Sequence, residues 1–368
     1  MVNGSCYLTK TLFISAHAPT LQYPQAGQRI AFTNLLEYAA LSETIDVFVI
    51  ANKTELDAAR DLVLKFGSSL YAYPLNSLKK IESCLSHYQM PFKFASRYIK
   101  EVEEKIQELL RINNYDIIHF ECSHAAVYIA AVDKYVNPTQ TKTVISLNDV
   151  WTQVFLRQSA RSWLSGIEAA KTFRYERTIY SLARELWVSS AKDRDLLTSL
   201  FSIPNKKIII KPQPANSFVY QVQRCPEKIE KKSLLFWAAM GRPENERAIL
   251  NFIEKCFKKL IEQDRDFKLY IVGSNPSKRV LALASHQIIV TGFVEDPTEF
   301  FEKAEIGIVP LLEGGGIKLK TLEMLEAGLP VIATTIGAEG ILSQNQKLMV
   351  SDNFDEWLKL VKSNLLLN

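Results

Sequence analysis

The stretch EIGIVPLLEGGGIKLKTLEMLEAGLPVIATTIGAEG, residues 305–340, decides the fold. An apolar strand ends at Pro310, a loop with three consecutive glycines follows, and a helix begins near Ile317 and stops at Gly328. Pro330 then leads into a second apolar strand. The pattern predicts a β-loop-α-β unit with its glycine-rich loop at the carboxyl end of a strand. Backbone N–H groups of such a loop can approach an anion, most often a phosphate.

The predicted helix carries two further signals. Lys318 and Lys320 fall in its first turn, where the helix dipole disfavours cations unless an anion is bound. Lys320 and Glu323 share one face of a helix that is otherwise largely apolar, so Glu323 is a candidate buried carboxylate that needs partners. Two ribose hydroxyls would suit it. The alternative is that Glu323 pairs with Lys320 and that the glycines only form a tight turn.

Two common nucleotide-binding motifs are absent. GGGIKLKT lacks the spacing of a Walker A loop, and no GxGxxG follows the first apolar run. A P-loop nucleotidase and a dinucleotide dehydrogenase are therefore excluded.

Outward from this stretch, apolar runs alternate with amphipathic helical patterns along most of the chain. Continuous apolar runs predict strands covered on both faces, and their alternation with helices predicts doubly wound parallel sheets. The proline-containing segment 211–232 separates two such halves, so we expect two Rossmann-like domains joined near residue 216. One large sheet with a long loop is the alternative.

Composition narrows the class of protein. The 44 basic and 40 acidic residues of the 368 give a net charge of +4, too balanced for a nucleic-acid binder driven by charge. The five cysteines are scattered without a CxxC pair, which argues against a disulfide scaffold or zinc ribbon and for a cytoplasmic setting. No apolar run reaches the roughly 18–20 residues of a membrane-spanning helix.

The segment GGGIKLKTLEMLEAGLPVIATTIGAEGI resembles the nucleotide-sugar-binding signature of glycosyltransferase family 4, the group 1 glycosyltransferases with a GT-B fold. It is most similar to bacterial members with a glycine triplet and a Lys-x-Lys pair. The segment 291–310, which contains Gly292 and Phe293, is similar to the part of the family that cradles the base. The likeness is fainter in the first half, at 24–30, 115–124 and 174–194.

The resemblance implies an α/β protein of two Rossmann-like domains facing across a cleft: an acceptor-side domain at 1–215 and a nucleotide-sugar domain at 216–352. A helix at 353–368 would pack back on the first domain. It also implies transfer of a sugar, with retained anomeric configuration and no essential metal or cofactor. The donor would be a UDP- or GDP-sugar. The acceptor would be a glycan or a lipid-linked glycan of bacterial surface-polysaccharide biosynthesis, such as lipopolysaccharide or capsule.

Site residues carry over one by one from the resemblance. Glu323 matches the carboxylate that holds the ribose hydroxyls, and Gly315, Gly316 and Ile317 match the loop that meets the phosphates and the donor sugar. The family usually has a second glutamate at the position of Gly315 here, and Glu313 lies two residues earlier. Donor-sugar recognition therefore departs from the family pattern.

Further candidates flank this loop or belong to the first domain. Gly314 and Lys318 complete the loop. Arg242 and Arg247 have the spacing of the family's diphosphate-binding Arg and Lys, although both could be solvated residues at a helix start.

In the first domain, Gly27 opens the helix where the family brings backbone close to the diphosphate. Glu121, on the same strand face as His119, and the following His124 could orient the acceptor hydroxyl or stabilise charge, although a strand-end His or Glu is often structural. We predict Glu121, His124, Lys318 and Arg242 as the catalytic residues.

Aromatic and basic residues interleave between 151 and 184 and predict a peripheral patch for anionic lipid on the cytoplasmic membrane face, with ordinary helix packing as the alternative. They are Trp151, Phe155, Arg157, Arg161, Trp163, Phe173, Arg174, Arg177 and Arg184, together with MPFKFASRYIK at 90–100.

A nucleotide-sugar epimerase on the same fold and a non-catalytic scaffold protein are the rival functions. The missing second glutamate is the feature that keeps the scaffold alternative open.

Overall fold

The computed structural model describes residues 9–21, 26–67, 69–160, 162–341 and 345–366. The chain divides into two compact units, Met1–Pro212 and Gln213–Asn368. The division falls within the proline-containing segment 211–232, three residues before the expected boundary at 215 and 216. Pro24 and Gln25 of the family-like stretch 24–30, and Arg161 of the aromatic and basic segment, lie outside the described residues.

The first unit contains one sheet of seven parallel strands in the order β3-β2-β1-β4-β5-β6-β7. Its strands are β1 (Thr9–Ser15), β2 (Ser42–Ala51), β3 (Ser69–Pro74), β4 (Ile117–Glu121), β5 (Lys142–Leu147), β6 (Glu185–Val188) and β7 (Ile208–Ile210). Its helices are α1 (Ala26–Leu41), α2 (Lys53–Phe66), α3 (Ser77–Ser86), α4 (Phe92–Ala95), α5 (Lys100–Ile112), α6 (Ile129–Asp133), α7 (Trp151–Ser159), α8 (Trp163–Leu182) and α9 (Ala191–Phe201), with 3₁₀ helices at Ser123–Tyr128 and Asn205–Lys207.

The second unit contains a sheet of six parallel strands in the order β10-β9-β8-β11-β12-β13. Its strands are β8 (Glu230–Trp237), β9 (Lys268–Val272), β10 (Ile288–Gly292), β11 (Ala304–Val309), β12 (Val331–Ala333) and β13 (Leu348–Val350). Its helices are α10 (Pro243–Phe252), α11 (Lys258–Gln263), α12 (Lys278–Leu281), α13 (Thr298–Lys303), α14 (Leu319–Glu326) and α15 (Phe354–Leu366), with 3₁₀ helices at Ser217–Gln221 and Pro226–Lys228 and a π-helical turn at Ile253–Phe257.

Burial on both faces explains the continuous apolar strands. All six residues of β11 are buried. Helices cover both faces of each sheet: in the second unit Trp357 of α15 packs with Phe252 on one face, while Met324 of α14 packs on the other. Helix α15 thus contributes to the core of the second unit.

Both sheets reverse their strand order at one place, between β1 and β4 in the first and between β8 and β11 in the second. Loops that follow the two strands on either side of such a reversal diverge, and they leave a crevice at the carboxyl ends where α/β proteins bind ligands. The predicted site residues Glu121, Arg242 and Gly314 to Lys318 all follow or end one of these four strands. No helix within the described ranges combines the length and the apolar character needed to cross a bilayer.

Candidate functional site

The glycine loop after β11 has the backbone conformation that the triplet allows. Gly314 and Gly316 have φ angles of +120° and +61°, a region that side chains with a Cβ disfavour. Gly340, at φ +80°, lies so close that a Cβ there would be 3.1 Å from the Cα of Ile317. Gly314 and Gly316 therefore permit the conformation of the loop, and Gly340 permits a neighbouring turn to pack closely against Ile317.

Lys318 precedes α14 and folds back over the loop. Its buried ammonium donates to the carbonyl oxygens of Gly315 and Gly316 at 2.7 and 2.8 Å, and it lies 3.3 Å from a carboxylate oxygen of Glu339. The side chain thereby ties the loop to the start of α14 and places a positive charge next to the loop carbonyl oxygens. Glu339 was not singled out in the sequence, because nothing in its neighbourhood marks it as a partner of the glycine loop.

Lys320 lies half-buried in the first turn of α14 and donates to Asn245 Oδ1 at the start of α10. Burial, followed by the neighbouring charges of Arg242 and Lys318, lowers the pKa of Lys320 to about 7. Three cationic side chains thus lie in the same neighbourhood of the second sheet's carboxyl edge. A bound anion would relieve their mutual repulsion.

Glu323 is buried, with 5% of its surface exposed. One carboxylate oxygen accepts a hydrogen bond from the indole Nε1 of Trp237 at 2.8 Å, and the other accepts one from the backbone N–H of Asn216 at 3.2 Å. The described hydrogen bond of the Lys320 ammonium goes to Asn245. Two donors from elsewhere in the second unit therefore orient the carboxylate. Lone pairs of its oxygens that these donors do not use consequently point in defined directions.

The two candidate arginines of α10 differ. Arg242 is exposed at the N-terminal cap of the helix, directly after the β8 loop. Arg247, one turn further on, donates through Nε to Glu313, which is buried. Glu313, two residues before the position of the family's second glutamate, is therefore paired with Arg247. Arg242 remains exposed at the carboxyl edge of the sheet.

Gly292 and Phe293 lie at the end of β10. Gly292 has a φ angle of +73° and its carbonyl accepts a hydrogen bond from Gly273 N–H at 3.1 Å. The ring of Phe293 is 63% exposed. An aromatic ring in that position offers a stacking surface for a planar ligand.

Glu121 ends β4 and is fully buried. Its Oε2 accepts hydrogen bonds from Asn34 Nδ2 at 2.6 Å and from His119 Nε2 at 2.9 Å. The other ring nitrogen of His119, Nδ1, lies 3.0 Å from the hydroxyl of Tyr38. The other carboxylate oxygen, Oε1, is buried without a hydrogen-bond partner among the described residues.

The remaining first-unit candidates cluster after β1 and β4. A Cβ on Gly27 would lie 2.9 Å from the His17 ring, so only glycine allows α1 to approach the end of β1 this closely. His124 is buried with its Nδ1 2.9 Å from Cys122 Sγ. Burial, together with nearby Arg97, holds the pKa of His124 well below its ordinary value, so the ring is neutral.

The aromatic and basic segment separates into two kinds of residue. Trp151 and Phe173 pack against the core of the first unit, as the packing alternative expects. Trp163 and Leu164, at the start of α8, are 74% and 60% exposed. The exposed apolar surface is therefore concentrated at one end of α8.

Several residues that organise the site were missed in the sequence: Trp237, Asn216, Asn245, Glu339, Asn34 and Tyr38. Each contacts a predicted residue across a long stretch of chain. Only Trp237 carried a local signal, since it ends the first strand of the second sheet.

Comparisons with known proteins bear on the family and the fold. Residues 231–365 match the family described as Glycosyl transferases group 1. A curated relative, an uncharacterized 44.6 kDa protein in the cps region of Klebsiella pneumoniae, is 25% identical over 130 residues. That alignment covers 33% of this chain and spans only 34% of the relative's length.

Solved structures extend the similarity to both units. Alr3699/HepE of Anabaena, in complex with UDP, superposes with a TM-score of 0.63 at 12% identity, covering 96% of this chain and 89% of that one. A glycosyltransferase from Rickettsia africae superposes with a TM-score of 0.62 at 16% identity, covering 98% and 88%. The fold is GT-B, as predicted. The similarity to the group 1 glycosyltransferases at the level of a family model is confined to residues 231–365, in the second unit.

Proposed function

We propose that the protein transfers a sugar from a nucleoside-diphosphate sugar to a glycan or lipid-linked acceptor with retention of configuration, as a family 4 enzyme of the glycine-triplet subgroup. The observation that carries this proposal is the buried Glu323 carboxylate, oriented by Trp237 and Asn216 on the helix that follows the glycine loop. A buried carboxylate on a helix that directly follows a glycine loop suits a ribose next to a diphosphate.

The second unit would bind the donor. The loop from Gly314 to Ile317 would meet the phosphates and sugar, with Phe293 and Gly292 beside the base. Arg242 and Lys318 would supply the positive charge that a metal brings in other transferases, so no metal is required. Arg247 would act through Glu313, which it holds in place. UDP in the Anabaena protein supports a uridine donor, with a GDP-sugar as the alternative.

The first unit would bind the acceptor, with Gly27 bringing backbone close to the donor diphosphate. An acceptor hydroxyl would donate to Oε1 of Glu121, a buried oxygen that has no hydrogen-bond partner among the described residues. Neutral His124, near the same strand end, would help to orient the acceptor. We favour transfer on the front face, in which the departing phosphate oxygen takes the proton of the attacking hydroxyl. In that scheme Glu121 stabilises the developing positive charge and forms no bond to the sugar.

The test is incubation of the purified protein with UDP- and GDP-sugars and candidate acceptors. Acceptor-dependent release of nucleoside diphosphate supports transfer; an isomerised sugar would identify an epimerase, and no turnover with intact nucleotide binding would identify a scaffold. NMR of the product then reports the anomeric configuration. An inverted product contradicts retention, and a glycosyl ester trapped on Glu121 or Glu313 contradicts only the front-face route.

We further propose a cytoplasmic protein that touches the membrane peripherally and serves surface-polysaccharide assembly. The cps-region relative supports the pathway class. Exposed Trp163 and Leu164, in the unit that also carries Lys93 and Arg174, support the membrane contact. Sedimentation with vesicles containing anionic lipid should be lost on Trp163→Ala with Leu164→Ala. Equal binding of parent and double variant would contradict the contact.

A further inference from the structure

A second cluster of chemically reactive side chains lies at the carboxyl edge of the first sheet. His17 follows β1, whereas Cys122 and His124 follow β4, the strand beside it. One ligand atom from each of the three residues lies within 4.8 Å of the other two. The proposed reaction uses only His124 of this group.

The backbone holds the cysteine in an unusual conformation. Cys122 has a φ angle of +73°, in the left-handed region that a residue with a Cβ adopts only when its surroundings enforce it. In this conformation its Sγ lies 2.9 Å from Nδ1 of His124. Gly27 allows the third member its place, because a Cβ there would come within 2.9 Å of the His17 ring.

The three residues differ in burial. Cys122 and His124 are 2% and 8% exposed, while His17 is half-buried. The cluster is therefore shielded from bulk water on the side of β4 and more accessible on the side of His17. This arrangement suits a ligand that enters from solvent and is then largely desolvated.

We propose that His17, Cys122 and His124 bind a divalent ion of borderline-soft character, with Zn²⁺ as the first choice, through three protein ligands and an open fourth position. One thiolate and two imidazoles form a donor set that Zn²⁺ prefers and that Mg²⁺ and Ca²⁺ do not.

Distances allow such a site with small movements. Metal–nitrogen and metal–sulfur bonds of about 2.0–2.3 Å place the ligand atoms of a tetrahedral site roughly 3.3–3.8 Å apart. The present upper bound of 4.8 Å must contract slightly, and the pair at 2.9 Å must open.

Binding forms one metal–sulfur and two metal–nitrogen bonds and releases the thiol proton to solvent. The buried guanidinium of Arg97, which donates to the carbonyl oxygens of Ala16 and Ile50 at 3.1 Å, opposes the ion's charge. The thiolate offsets part of that opposition. Metal binding is measured without donor or acceptor, so its outcome is read separately from that of sugar transfer.

The test is titration of the full-length protein, kept reduced with a phosphine, with Co²⁺ and then with Zn²⁺. We expect a thiolate-to-cobalt charge-transfer band that saturates at one equivalent and disappears when Zn²⁺ is added. Competition with a chromophoric chelator gives the Zn²⁺ affinity. Cys122→Ser should abolish the band and weaken Zn²⁺ binding by at least about 100-fold, more than loss of an outer partner costs.

The matched control is Cys256→Ser, which removes a buried cysteine from the second unit and should retain both signals. The proposal is overturned if the band persists in Cys122→Ser, or if the parent binds Zn²⁺ no more tightly than that variant. Should Cys122→Ser fail to give the far-ultraviolet dichroism of the parent, the half-buried His17→Gln replaces it. Parent-like Zn²⁺ affinity in His17→Gln would then overturn the proposal.

Discussion

The two sheets share one strand order but carry opposite chemistry at their points of reversal. Between β1 and β4 the site is a buried network around Glu121, in which His119, Tyr38 and Asn34 are hydrogen-bonded to one another or to the carboxylate. Between β8 and β11 it is a glycine loop with Lys318, Lys320 and Arg242 in the same neighbourhood. The first edge holds a buried carboxylate among neutral hydrogen-bonding groups, whereas the second combines a glycine loop and several cations with the buried carboxylates Glu313, Glu323 and Glu339.

In α/β folds the strand order places the ligand crevice, and the residues just beyond the strands select the kind of ligand. Loop amides and cations suit a phosphate. A buried carboxylate with one open oxygen suits a hydroxyl donor. Substitutions on the two edges should therefore affect different steps of the reaction.

The largest effect is expected for Glu121→Gln. On the role proposed for Glu121, loss of its carboxylate should slow transfer by about 100-fold or more while nucleotide affinity stays unchanged. Single-turnover kinetics and calorimetric titration with UDP measure the two quantities. Glu37→Gln, on the same helix as Asn34 but exposed, is the matched control and should behave as the parent. Weakened UDP binding in Glu121→Gln would erase the contrast between the edges.

A smaller effect is expected for Glu323→Gln, and on the other quantity. Loss of a charge-assisted hydrogen bond of about 1.5–3 kcal/mol should weaken nucleotide binding roughly ten- to a hundredfold without lowering the unfolding temperature. Calorimetry with UDP and GDP measures it. Glu326→Gln, exposed on the same helix, provides the control. If affinity for the parent's nucleotide does not change, Glu323 does not hold the ribose.

Arg242→Ala should reduce kcat by about tenfold and change KM less, since charge grows on the diphosphate as the glycosidic bond breaks. Lys318→Ala should act in the same direction, with an added loss because the loop carbonyls lose their partner. Steady-state kinetics separate kcat from KM, and Arg279→Ala, exposed in the same unit, serves as control. A rise in KM alone would assign these cations to ground-state binding.

The smallest effect concerns pH. With the pKa of Lys320 at about 7, a bound diphosphate favours the charged ammonium, so binding takes up a proton. Nucleotide affinity should then fall as pH rises through and above this value, by at most about tenfold per pH unit. Calorimetry in buffers of different ionisation enthalpy detects the proton, and Lys320→Gln should flatten the difference. An equal slope in that variant would show that another group titrates.

The fold was predictable where a strand is buried on both faces, because such burial requires an unbroken apolar run in the sequence. β11 is buried at every position, and its unbroken apolar run predicted it as a two-sided strand. β13, only three residues long and nowhere fully buried, carries no such run and was not predicted.

The site was predictable only in its local part. The glycine triplet and Glu323 lie in one continuous segment, so spacing placed them near one another. The donors that orient Glu323, from Trp237 and Asn216, belong to distant segments that the sheet brings close. The His119 and Glu121 pair was visible from strand alternation, but their partners Tyr38 and Asn34 on α1 were not.

Helix α15 has a consequence for the order in which the protein can fold during synthesis. Trp357 is fully buried, its ring centroid lies 5.6 Å from that of Phe252, and its indole donates to the Ser351 carbonyl at 2.8 Å. All seven strands of the first sheet precede residue 212 in the chain and are therefore synthesised before the second unit. The first unit can thus complete its core early. The second unit must keep Phe252 uncovered until the nascent chain has grown by about a hundred further residues, which at roughly 5–20 residues per second is a wait of several seconds. Throughout that interval the unfinished core of the second unit exposes apolar surface of the kind that chaperones bind.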